Sequence, residues 1–164
     1  MNKKLGIVSL LLAGLPMSAA LASNNLYMLI PGITGSATAD NFRGWIDVSS
    51  FSLGYQQATC SSLTVSKLLD MTSPALTMAA VAGTFYPVVT LVSVVNGPEP
   101  YVEFRLKLFG AAVTSVQQSG ASSTPAESLS FQPSRVEVTY FTQGQDGQLT
   151  PISSTVDCQA VKLK

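Results

Sequence analysis

Between residues 44 and 57 the chain reads GWIDVSSFSLGYQQ, and its apolar side chains change parity half way along. Ile46 and Val48 occupy even positions, whereas Phe51, Leu53 and Tyr55 occupy odd ones. Side chains of an extended strand alternate faces with a period of two, so a straight ladder cannot bury both sets on one side. The pattern predicts a slip of one residue near Ser49-Ser50, where a bulge bends the strand and lets it serve two sheets or turn a barrel corner. Just upstream, residues 26–30 read as a short strand ended by the Pro31-Gly32 turn. The expected fold is mainly β: a small antiparallel β-barrel of two sheets built on this bent strand, with one short α-helix.

The rest of the chain supplies the other strands. After a polar link at 58–62, Leu63 and Val65 alternate with Thr64 and Ser66 and open another strand. A helix is expected from Ser73, which can cap it, with Pro74 at the first helical position and Gly83 as a left-handed stop. The intervening ALTMAAVA is apolar nearly all round, so this helix should be covered on more than one side. Residues 88–95 (VVTLVSVV) read as a buried strand, and NGPEP at 96–100 turns the chain. In 101–108, Val102, Phe104, Leu106 and Leu108 should face the core, with Glu103, Arg105 and Lys107 outward. A separate strand follows at 111–118, then a Ser/Gly/Thr loop at 119–126. Residues 128–142 repeat the change of parity: Leu129 and Phe131 are odd, Val136, Val138 and Tyr140 even, and Pro133 marks the break. Asp146-Gly147 signals a hairpin turn, and a last strand at 153–161 carries Cys158. The tally is seven or eight strands and one helix, with no linker or repeat.

Residues 1–22 have the form of a secretory signal peptide. Lys3 and Lys4 give a basic start, GIVSLLLAGL an apolar stretch, and Ala20-Leu21-Ala22 a cleavage site after Ala22. Ser23 follows the cut, so no lipid anchor is implied, and residues 23–164 form one domain. Without Lys3 and Lys4, seven basic residues face nine acidic ones, too weak a balance for nucleic acid or anionic lipid. No other apolar run is long enough to cross a membrane. The product is expected in the periplasm or outside the cell. There, Cys60 and Cys158 should form a disulfide, the alternative being two separate buried thiols. Two thiolates without a single histidine make a poor metal site, and no cofactor motif is present.

Catalysis fails on inventory. The absence of histidine removes Ser-His and Cys-His nucleophile activation and the usual neutral-pH proton shuttle. Glu103 and Glu137 are two carboxylates of the kind glycoside hydrolysis uses, but both fall at outward strand positions. Trp45, the single tryptophan, is read as core or interface packing. The chain is expected not to be an enzyme.

Several stretches resemble the hemolysin-coregulated proteins (Hcp), tube components of bacterial type VI secretion systems. LYMLIPGITG at 26–35 is similar to the family's opening strand and I-P-G-I-x-G turn, and GWIDVSSFSLGY at 44–55 to its W-I-x-V-x-S strand. LTVSKLLDMTSPALTMAAVAG at 63–83 resembles its strand and S-P-x-L helix, and YVEFRLKLFGAAVTSVQQSG at 101–120 its V-E run. Residues 125–140 complete the likeness in order. The resemblance implies a two-sheet barrel beside one helix and a non-enzymatic protein that self-associates into hexameric rings. It also implies type VI secretion components or effectors as partners. The export signal and the short 58–62 link point to an alternative, an exported monomeric binding module of the same fold.

Overall fold

A computed structural model describes residues 24–56, 59–120, 122, 124–144 and 146–158. The expected leader and its cleavage point after Ala22 lie outside these residues, as do residues 159–164. The described strands are β1 (Asn24–Leu29), β2 (Ile46–Val48), β3 (Ser50–Ser52), β4 (Tyr55–Gln56), β5 (Thr59–Cys60), β6 (Leu63–Leu68), β7 (Phe85–Val95), β8 (Tyr101–Ser119), β9 (Ala126–Gln132), β10 (Arg135–Gln143) and β11 (Leu149–Asp157). One α-helix, α1 (Ser73–Ala82), lies between β6 and β7.

A hydrogen-bonded path runs β2-β1-β7-β8-β9-β6-β3, and β10 joins it through β8 and carries β11. All pairings are antiparallel. The path begins on β2 and ends on β3, which only Ser49 separates, and the Ser49 N–H donates to the Ser66 carbonyl at 2.8 Å. The ribbon's two ends therefore meet on one bent segment, at the predicted change of parity. Ile46, from one side of the bend, and Phe51 and Leu53, from the other, pack into the same core.

The strand does not continue unbroken to residue 57. It stops at Leu53-Gly54, where the Gly54 N–H bonds the Ser61 hydroxyl at 2.7 Å instead of a ladder carbonyl. Beyond it, β4 and β5 form a separate two-stranded hairpin where a plain link was expected. Nor do residues 101–108 and 111–118 form two strands. They are one 19-residue strand, bent at Gly110 (φ 54°). Its first half pairs with β10, its second with β9, and β7 lies along the joint. Pro87, which has no N–H to give, sits between the Tyr86–Ala111 and Val88–Phe109 pairs. Across Gly110 the buried positions change from Leu106 and Leu108 to Ala111 and Val113. The chain then crosses from β9 to β10 at Pro133-Ser134, as the second parity change predicted. The Ser134 hydroxyl and N–H both donate to the Phe109 carbonyl, at 2.8 and 3.0 Å, and clip the crossing to the bend.

Leu63, Val65, Leu91, Leu106, Leu108, Leu129 and Phe131 form the centre of the main core. A smaller cluster lies on the other side of β1 and β7: Tyr27, Ala37, Val92 and Val94 are buried there, with Phe42 and Trp45 packed against them. Phe42 stacks on Tyr27 at 4.7 Å and meets Trp45 edge-on at 5.2 Å, so the single tryptophan packs as expected. Val102 belongs to this second cluster rather than to the main core. The ladder slips between Ser93 and Val94, leaving Glu103 as the extra residue and turning Val102 to the opposite face.

In α1, Ser73 is the first helical residue, not the cap. The Asp70 carboxylate accepts the Thr72 N–H at 2.8 Å, and the Ser73 hydroxyl accepts the Asp70 N–H at 3.1 Å. Gly83 ends the helix at φ 61° in a Schellman arrangement, with Gly83 N–H on the Ala80 carbonyl and Thr84 N–H on that of Ala79. Leu76 and Ala79 are buried, but the opposite side of the helix is open, so it is covered on one side only. The last strand begins at Leu149, earlier than expected, and tolerates Pro151 because it is an edge strand.

Gly110→Ala should destabilise the domain by about 1–3 kcal/mol, since L residues resist this φ and a Cβ would lie 2.5 Å from the Ser134 hydroxyl. Gly97→Ala, with nothing within 4 Å, should leave the urea midpoint close to the parent's.

Candidate functional site

The most constrained chemistry in the described chain is a charged cluster inside it. Lys67 (1% exposed) and Glu127 (2%) are buried on β6 and β9, which pair them across the ladder. Lys67 Nζ donates to Glu127 Oε1, Asp70 Oδ1 and the Leu68 carbonyl, each at 2.8 Å. Glu127 Oε1 also accepts the Ser73 hydroxyl at 2.8 Å, and its Oε2 accepts Gln118 at 3.2 Å. Asp70 Oδ1 takes the Thr72 hydroxyl at 2.6 Å. Burial by itself pushes the Asp70 carboxyl up. The hydrogen bonds from Lys67 and from the Thr72 hydroxyl and amide, with the charge of Lys67, outweigh it and hold the carboxyl below the usual aspartate value. Sequence reasoning missed this cluster. The signal was its parity: Lys67 continues the inward row of Leu63 and Val65, and Glu127 precedes that of Leu129 and Phe131. Every donor and acceptor of the cluster is turned to structure. It ties β6 and β9 to the start of α1.

Beside it lies a depression of about 290 Å³, lined by Ser36, Asp47, Val48, Ser49, Leu68, Leu69 and Asp70. Within it the Ser36 hydroxyl reaches Asp70 Oδ2 at only 3.5 Å, and the other Asp70 oxygen is taken up by Lys67 and Thr72. The two carboxylates singled out from sequence are engaged separately: Glu137 pairs with Lys107 at 3.1 Å, while Glu103 accepts the Tyr140 hydroxyl at 2.9 Å and Asn24 at 2.8 Å. Cys60 and Cys158 are brought together as a disulfide that fastens the β4–β5 hairpin to the end of β11. Among the described residues no helix is long and apolar enough to cross a membrane.

Surfaces, rather than a cleft, dominate what the molecule presents. The β10–β11 hairpin extends past the core as an arm. Along its inner face Val136 is buried and Val138 partly so, but Tyr140 and its cross-strand partner Ile152 are exposed, Ile152 at 63%. On α1, Met78 (66%) and Val81 (79%) stand in solvent. The outer face of β8 and β10 is charged: Arg105 lies over Phe141 at 4.9 Å and Arg135 over Phe109 at 4.3 Å.

Comparison with known proteins places the chain in a family. Residues 27–140 match the family described as type VI secretion system effector, Hcp. The chain belongs to that family. Among solved structures it is similar to Hcp1 from Salmonella typhimurium, at 23% identity and TM-score 0.77, over 85% of this chain and 96% of that one. A structure described as a type six secretion system protein shares 26% identity, TM-score 0.75, over 82% and 96% of the two chains. Secreted protein Hcp3 from Pseudomonas aeruginosa gives TM-score 0.67 at 16% identity, over 82% and 98%. Comparison with curated proteins finds no match. The Hcp fold, mainly β with one α-helix among the described residues, is thus the one expected from the sequence.

Within this Hcp fold, Lys67→Met should cost about 3–5 kcal/mol, because Glu127 and Asp70 lose their buried counter-ion. Adding Glu127→Leu should recover more than half of the loss, read from urea midpoints. Asp70 titrates lower folded than unfolded. Its contribution is therefore complete above pH about 5 and disappears as pH falls through the folded value. Stability measured from pH about 6 to about 2 should fall less steeply in Asp70→Asn than in the parent.

Proposed function

We propose that residues 23–164 are a non-enzymatic structural component of a type VI secretion-related system that associates with copies of itself into hexameric rings. The family match across residues 27–140 carries this reading. The apolar side chains left in solvent on α1 and on the arm support it, since exposed apolar surface of this kind marks protein interfaces. Partners would be further copies of the chain and type VI secretion components or effectors. The leader at residues 1–22, cut after Ala22, would deliver the protein to the periplasm or beyond, where oxidation of Cys60 and Cys158 is favoured.

A second reading has one observation in its favour. The disulfide anchors the β4–β5 hairpin to Cys158, so this loop is held against its own subunit rather than free to reach another. That suits an exported monomer that binds a protein or glycan. The two readings separate on protein purified from the periplasm with an intact mass beginning at Ser23. Size exclusion with light scattering should give a closed oligomer of six chains. A strict monomer at high concentration would overturn the ring and leave the monomeric module.

A further inference from the structure

We infer that the contact between neighbouring copies joins the exposed row of the β10–β11 arm of one copy to the open side of α1 on the next. This rests on the ring reading above and names the surfaces that would make it. Unlike an ordinary surface helix, this one is apolar on its open side as well as on the side that buries Leu76 and Ala79. Its two hydroxyls are used within the fold: Ser73 donates to Glu127, and Thr77 donates to the Ser73 carbonyl at 2.8 Å. Its outward positions, Ala75, Met78, Val81 and Ala82, are all apolar, and no residue of α1 is charged. A solvent-facing helix side is normally polar.

The arm offers a surface of matching character. Phe104, Tyr140 and Ile152 lie directly opposite one another on β8, β10 and β11 and so form one apolar row on the core side of the sheet. Phe51 covers the Phe104 end by stacking at 5.8 Å, while the Tyr140 and Ile152 end is exposed. The carboxylate that touches this row, Glu103, already accepts bonds on both oxygens. The reverse face of the same sheet carries Arg105, Lys107, Arg135 and Glu137, and an uncharged helix laid there would strip water from charges and return nothing. Complementarity therefore pairs the apolar arm row, whose one neighbouring carboxylate is already hydrogen-bonded within the subunit, with the uncharged helix. The two patches are unlike and belong to different elements, so their contact is heterologous, the kind that closes into a ring when the rotation permits.

Val81→Glu and Ile152→Lys test this in the mature, disulfide-bonded protein. Both side chains are exposed, so circular dichroism and the thermal midpoint should stay near the parent's, which checks folding. Each variant alone should lose the ring and elute as a monomer. Mixed in equal amounts, the two should form rings again, because the introduced lysine of one meets the introduced glutamate of the other and every second contact is unaltered. A folded single variant that keeps its ring, or a mixture that remains monomeric, overturns the arm-to-helix contact while leaving the ring reading intact. A parent protein that is itself monomeric overturns the ring reading and, with it, this contact.

Discussion

Closure of one antiparallel ribbon on itself at Ser49 is the constraint from which the rest follows. A two-ended ribbon of this length would present two long free edges. Here the segments at its ends are joined covalently, and the Ser49 N–H is spent on Ser66 across the seam. That arrangement requires the chain to bend wherever it leaves one sheet for the other. The bends occur at Ser49, at Gly110 opposite Pro87, and at Pro133-Ser134, and two of them are clipped together by Ser134 on the Phe109 carbonyl. A bulge between Val113 and Ser115 keeps Val113 and Val116 on the main core, while the slip between Ser93 and Val94 sends Val102 to the smaller cluster on the other face.

The buried ions sit where this closed ribbon has to accept its helix. Lys67 and Glu127 face each other from neighbouring strands, and both reach the residues that start α1: Lys67 through Asp70, Glu127 through Ser73. An apolar contact at this place could slide, whereas a charged group with several fixed partners admits one registry. The isolated pair is no strong source of stability in itself, because removal from water offsets much of the attraction. Its effect is to orient the helix, whose inner side then buries Leu76 and Ala79 and whose outer side is left apolar and open.

Much of this was legible in the sequence because burial imposes a local period of two. The odd and even apolar sets at Ile46–Val48 and Phe51–Leu53, and again around Pro133, located the crossings between sheets without any knowledge of partners. What was not legible depended on distant or very short pairings. Lys67 looks like a fault in an inward row until Glu127, sixty residues away, is placed beside it. Strands of two residues, β4 and β5, fall below any periodic signal. Gly110 reads as a stop, since nothing local shows that β7 and the Ser134 clip hold the strand together through a positive φ. The slip that turned Val102 outward belongs to the pairing of β7 with β8 and has no trace in residues 101–108 alone. The engaged cysteines were anticipated from their even number and the leader, not from their neighbourhoods.

Pro151 gives the arm one further property. It is the third residue of β11, the strand left at the rim of the sheet, and its nitrogen has no hydrogen to offer an incoming backbone. A foreign segment zipping along that rim would meet a gap near the start of the strand, and continuous fibre growth by edge-to-edge stacking would stall there. The flat face of the arm thus stays open to a partner while its margin resists runaway polymerisation.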